Sequence, residues 1–221
     1  MSGATLLFDL DGTLVDTDAH HFTAFRETMS RYGIDVTLDF YKANIIGFPN
    51  TDIMLRLMPD HDVDTHIRVA DEKEAHFRSI ANDMEPLPGL VDLLDWAEDR
   101  GLPKGVVTNA TRQNAELQLS AIGVQDRFST VVIGYELARA KPDPLPYITG
   151  LERLGGHSGR SVAFEDSLSG LRAARAAGLP VVGLTTSLPG EVLLEEGAMI
   201  AVRDYTDPRL IPFLEAALGR S

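Results

Sequence analysis

Short apolar runs separated by amphipathic stretches set the rhythm of this chain. Residues 4–9 read as a strand ending in Asp9, and from 17 to about 82 the pattern is helical, with no convincing strand. Phe22, Phe25, Met29 and Tyr32 recur at helical spacing before Gly33, a suitable C-terminal cap. A second helix covers 63–81, with Ile67, Ala70, Phe77 and Ala81 on one stripe.

Beyond Pro86-Leu87-Pro88-Gly89 helices alternate with short apolar strands. Helix 90–100, ended by Gly101, leads into strand 105–108, and helix 112–122 into strand 130–133. Helix 144–154 leads into strand 161–164, helix 168–177 into strand 181–184, and a last apolar run follows at 199–202. Strands joined by helices of this length require right-handed crossovers and a parallel sheet. The expected fold class is therefore α/β, a doubly wound parallel sheet (Rossmann-like core) with an inserted all-helical domain. The core takes residues 1–16 and 86–221, and the helical insertion 17–85. Val15-Asp16-Thr17 and Glu85-Pro86-Leu87-Pro88-Gly89 read as hinges, and an all-helical insertion at this point reads as a lid.

At 221 residues and 44% hydrophobic composition, the chain has material for one large domain or one domain with an insertion. Cysteine is absent, which removes disulfides, thiolate metal sites and a cysteine nucleophile from consideration. A formal net charge of −13 argues against nucleic-acid and anionic-membrane partners, which demand basic patches. A small phosphorylated partner is still compatible, because a metal and one or two lysines make a local positive pocket. No basic segment precedes a long apolar stretch, and no eighteen consecutive apolar residues occur, so a cytoplasmic location is expected.

Candidate chemistry gathers at the strand ends. Asp9 and Asp11, one residue apart before the turn glycine Gly12, need a shared cation such as Mg²⁺ or a shared proton; Asp-Gly after an apolar run is also a hairpin signal. Thr108 and Asn109 offer anion-binding donors or a helix cap, and Lys141 before a proline-stiffened turn is either a phosphate ligand or a surface lysine. Glu165 and Asp166 form a second acidic pair, in which Asp166 could instead cap the following helix. Four such sites, in order, at one edge of a sheet form a pattern.

That pattern resembles the haloacid dehalogenase-like hydrolases, in the subgroup with a helical cap after the first core strand (the phosphoglycolate phosphatase and β-phosphoglucomutase-like branch). Asp9-Leu10-Asp11-Gly12-Thr13 looks like the first family motif, Thr108-Asn109 the second, Lys141-Pro142 the third and Glu165-Asp166 the fourth. The resemblance implies that Asp9 is a nucleophile forming an aspartyl-phosphate and that Asp11 is the general acid and base. It implies Mg²⁺ held by Asp9, the Asp11 backbone carbonyl and Asp166, with Glu165 nearby through water. Thr108, the Asn109 backbone N–H and Lys141 would hold the phosphoryl oxygens, Lys141 also screening Asp9 from Asp11. The resemblance also implies phosphate esters rather than carbon–halogen bonds, since relatives that cleave the latter lack an acid at the position of Asp11.

In the insertion, His21 resembles a cap-hinge histidine of the branch but also suits a structural place on an amphipathic helix. Lys73 either meets a distal polar or anionic group of the substrate or snorkels and pairs with Glu72 or Glu74. The segment Gly47-Phe48-Pro49-Asn50 places Asn50 where the sugar phosphomutases carry an arginine. The expectation is thus a Mg²⁺-dependent phosphatase of a small phosphorylated metabolite. A sugar phosphomutase is the alternative, followed by a noncatalytic binding protein on the same fold.

Overall fold

A computed structural model describes residues 3–46, 48 and 50–219. In chain order the elements are β1 (Leu6–Phe8), α1 (Asp18–Ser30), α2 (Leu38–Asn44), α3 (Asn50–Leu57), α4 (Val63–Ile80) and α5 (Leu90–Asp99). There follow β2 (Lys104–Thr108), α6 (Arg112–Ala121), β3 (Thr130–Ile133), α7 (Leu145–Leu154), β4 (Val162–Glu165) and α8 (Leu168–Ala176). The chain ends with β5 (Val181–Leu184), α9 (Gly190–Glu195), β6 (Ile200–Val202) and α10 (Leu210–Ala217). No described helix is long and apolar enough to cross a membrane.

The chain divides into two compact units, residues 1–16 with 84–221, and 17–83. In the first, six parallel strands lie in the order β3-β2-β1-β4-β5-β6, the doubly wound arrangement that the alternation of helices and strands implies. β1 is central, with Leu7 opposite Gly105 and Ala163, and Phe8 opposite Val106 and Phe164. It is shorter than the 4–9 expected, yet Val162 N still donates to Thr5 O (3.1 Å) and Asp9 N to Phe164 O (3.0 Å), so ladder bonds run past both ends. The rings of Phe8 and Phe164 stack 4.4 Å apart on neighbouring strands. Leu7, Val107, Val132, Tyr147, Ala163, Leu171 and Val181 belong to the apolar core beneath the helices.

Winding proceeds outward from β1 to β3, then reverses from β4 to β6. That reversal creates a crevice beyond the carboxyl ends of β1 and β4, where ligands bind in such sheets. Val15 bridges Pro86, and Leu87 N donates to Leu14 O (2.9 Å), so the strands of chain leaving for and returning from the insertion run side by side.

The inserted unit consists, among the described residues, of four helices. α1 and α3 both pack on α4 around Phe25, Met29, Tyr41, Ile53, Met54 and Val69. Helix ends follow local chemistry: Thr37 caps α2 by accepting from Phe40 N, and Asp62 caps α4 by accepting from Thr65 N (2.8 Å). One expectation fails here. Ile67 is 54% exposed, because the buried face of α4 runs through His66, Val69, Lys73, Glu74 and Phe77 and turns Ile67 outward. Tyr32 lies past the end of α1 but still packs on the same core, since Ile34 N returns to Met29 O (3.1 Å). Of the segment singled out around Asn50, Gly47 and Pro49 lie outside the described residues.

Candidate active site

The chain leaves β1 at Asp9 and turns at once, with Leu14 N donating to Leu10 O (2.8 Å) and Gly12 N to Val15 O (2.7 Å). Gly12 makes this turn with φ +71°, and a methyl group there would overlap the Asp166 carboxylate. Glycine thus meets two demands at once, a left-handed backbone and close approach of the β4 loop. Thr186 Oγ1 donates to Gly12 O (2.5 Å), and Ser187 donates to Asp166 Oδ2.

β4 ends in Glu165, and Asp166 follows it, both beside Asp9. Lys141 comes from the segment before α7 and lies across them, its Nζ 2.7 Å from Asp9 Oδ1 and 2.6 Å from Glu165 Oε1. All four side chains are buried. Glu165 also accepts from Tyr147 OH (2.6 Å) and Ser167 Oγ (3.2 Å), so a fully enclosed carboxylate meets three donors. Gly170, on the first turn of α8, leaves the space that the Glu165 carboxylate occupies.

The bland alternatives for these positions are resolved by their neighbours. Ser167 caps α8 by accepting from Gly170 N (3.1 Å), so capping does not account for Asp166. Thr111 caps α6, so it does not account for Thr108 or Asn109. Lys141 is 5% exposed, unlike a surface lysine.

Thr108, at the end of β2, accepts from Ala110 N (2.9 Å). Asn109 grips the Lys141 main chain at two points, Nδ2 donating to its carbonyl (3.1 Å) and Oδ1 accepting from its N–H (3.2 Å). Asp11 receives a hydrogen bond from Gln118 Nε2 on α6 (2.9 Å). Sequence reading passed over Gln118, Tyr147 and Ser187. The first two had a signal, since each is a polar residue on the inward face of a helix, among Ala115 and Leu119 or Gly150 and Leu151.

Electrostatics follow from burial and crowding. Burial pushes Asp9 up to about 7; Lys141 works against this, while Glu165 and Asp11 add to it. Burial pulls Lys141 down, but the charges of Asp9 and Glu165 outweigh it and hold the ammonium above its ordinary value. Burial and the Glu165 charge keep Tyr147 a neutral phenol, well above its usual range. Lys141 pairs with both Asp9 and Glu165. Asp9, Glu165 and Asp166 each offer an oxygen within 4.8 Å of the others, a hard-donor set that fits a divalent cation.

Within the inserted unit, the three residues singled out by sequence also meet. Lys73, 2% exposed, lies 2.9 Å from His21 Nδ1 and donates to Glu74 Oε1 (2.9 Å), and Asn50 Nδ2 donates to the same Glu74 oxygen (2.9 Å). The His21 ring stacks on Phe77 at 4.0 Å. Burial would raise Glu74, but Lys73, His21 and Asn50 together lower it to about 2.

Residues 6–184 match the family model described as haloacid dehalogenase-like hydrolase. A phosphorylated carbohydrates phosphatase of Thermotoga maritima is 31% identical over 205 residues, covering 90% of this chain and 93% of the relative. The fructose-1-phosphate phosphatase YqaB of Escherichia coli is 33% identical over 182 residues, covering 81% and 95%. CbbY from Rhodobacter sphaeroides, solved in complex with xylulose-(1,5)bisphosphate, superposes with a TM-score of 0.82 at 27% identity, covering 94% of this chain and 96% of that one. With its motif residues at the switch point of the sheet and its sequence matched across most of its length, the chain belongs to the haloacid dehalogenase-like hydrolases.

Proposed function

We propose that this protein is a Mg²⁺-dependent phosphatase that hydrolyses a small phosphorylated metabolite, a sugar phosphate or phosphoglycolate-like ester, through an aspartyl-phosphate. The observation that carries this reading is the buried cluster of Asp9, Lys141, Glu165 and Asp166 at the crevice between β1 and β4. Relatives with phosphatase names support the same reaction class.

In the first half-reaction a carboxylate oxygen of Asp9 attacks phosphorus while the ester P–O bond breaks, and Asp11 gives the departing alcohol its proton. In the second, Asp11 takes a proton from water as that water attacks the aspartyl-phosphate, releasing inorganic phosphate and restoring Asp9. Thr108, the Asn109 N–H and Lys141 hold the non-reacting phosphoryl oxygens against the charge that builds up. Asp9, Asp11 and Asp166, with Glu165 beside them, are the residues that would hold Mg²⁺, which when bound supplies charge neutralisation at the phosphoryl group.

His21, Lys73 and Asn50 are assigned to substrate choice. Asn50 in place of a guanidinium gives a weaker grip on a second phosphate, which favours hydrolysis over phosphate transfer within a sugar. Phosphate release across a panel of phosphorylated metabolites, with and without Mg²⁺ and with hexose 1-phosphate isomerisation followed alongside, tests the proposal. Release from a narrow set that needs the metal is the expected outcome; isomerisation faster than release would establish a mutase instead.

A further inference from the structure

We infer that Gln118 is a positioning residue for Asp11, fixing the carboxyl group that exchanges protons with the leaving group and water. The inference rests on the phosphatase reading above. Gln118 is wholly buried on α6, with Asn114, Ala115 and Leu119 on the same inward face. Its Nε2 lies 2.9 Å from Asp11 Oδ1. In this contact the amide nitrogen donates and the Asp11 oxygen accepts.

The other end of the amide makes the case. Gln118 Oε1 is buried with no hydrogen-bond partner among the described residues. A methionine of similar length would fill the same space without an unmatched acceptor, so packing alone does not explain an amide here. What the amide supplies and a methionine would not is a donor aimed at one oxygen of Asp11. The backbone of Asp11 is set by the turn after β1, where its neighbour Gly12 has φ +71°, whereas the direction of its carboxyl group depends on side-chain torsions that a backbone turn does not fix. Gln118 supplies that constraint from a rigid helix, and small displacements of a proton-transfer group carry large rate penalties.

The test compares Gln118→Met and Gln118→Leu with the parent protein on two kinds of ester. One is the best-hydrolysed alkyl phosphate of the metabolite panel, whose alkoxide needs a proton to leave. The other is p-nitrophenyl phosphate, whose leaving group departs as a stable phenolate. Gln118→Met is expected to lower kcat/KM, which reports the steps up to departure of the alcohol and leaves out the water step common to both esters, by about 10- to 100-fold on the alkyl phosphate, and to cost p-nitrophenyl phosphate at least about fivefold less. Gln118→Leu, which also removes the donor and adds no ionisable group, should follow the methionine variant. Equal losses on both esters would mean a structural role, and parental rates in both variants would mean none; either overturns the inference. A parent protein inactive on every alkyl phosphate would instead sink the phosphatase reading, and this inference with it.

Discussion

Lys141 Nζ stands 2.7 Å from Asp9 Oδ1, and both side chains are shut away from solvent. The same ammonium reaches Glu165, so removing it leaves two buried carboxylates without their cation. Breaking a buried pair from one side is far more costly than its net contribution, because the remaining charge has neither water nor partner. Lys141→Met should therefore destabilise the protein by about 3–5 kcal/mol in urea unfolding and abolish phosphate release. A variant as stable as the parent would show that these charges are not held as described.

Gly170→Ala sets two effects against each other. Alanine in a helix normally gains about 1 kcal/mol over glycine. At this position the new methyl group would overlap the Glu165 carboxylate, which is itself pinned by Lys141, Tyr147 and Ser167. Overpacking of about 1–3 kcal/mol should win, giving a net loss in unfolding free energy and a lower affinity for Mg²⁺ by titration calorimetry. A raised melting temperature would contradict it.

Asn109→Ala removes both hydrogen bonds that fix the Lys141 backbone. Each such bond contributes about 1 kcal/mol, and the lysine they place is a phosphate ligand in the proposed chemistry. Inhibition by inorganic phosphate should weaken by about tenfold, with a smaller change in stability. An unchanged inhibition constant would separate Asn109 from phosphate binding.

Acid stability should depend on Glu74. Its carboxyl is held at about 2 in the folded protein against an ordinary value of 4.5, so the unfolded chain takes up its proton first as the pH falls. The stabilisation is fully present above about pH 5 and is lost progressively toward pH 2, amounting to about 3 kcal/mol. Glu74→Gln removes this contribution, so its urea midpoint should lie furthest below the parent's near pH 6 and converge on it toward pH 2. Parallel curves across that range would contradict the assignment.

Legibility from sequence varied with the physics involved. The sheet was readable because β2 to β6 are apolar runs punctuated by amphipathic helices, and strand alternation is a local property. α9 and α10 went unread, since six and eight residues carry little periodicity. Ile67 misled because the buried face of α4 begins one residue earlier, at His66; Lys73, which shares the spacing of Ala70 and Phe77, is buried, and its ion pair with Glu74 makes both tolerable in the interior. The motif residues stood out by their place at strand ends. Their supports did not, because the pairing of Gln118 with Asp11 spans 107 positions and that of Tyr147 with Glu165 depends on how α7 lies on the sheet.

The central claim is that the Asp9 carboxylate attacks phosphorus. Rapid acid quench during turnover of the best substrate, followed by peptide mass mapping, tests it most directly, with the Asp9→Asn protein treated in parallel. A phosphoryl group should appear on the peptide containing Asp9, chase away as phosphate is released, and be absent, along with turnover, from the Asp9→Asn protein. Turnover by the Asp9→Asn protein at the parental rate, with no phosphoryl group on Asp9 in the parent, would contradict the account.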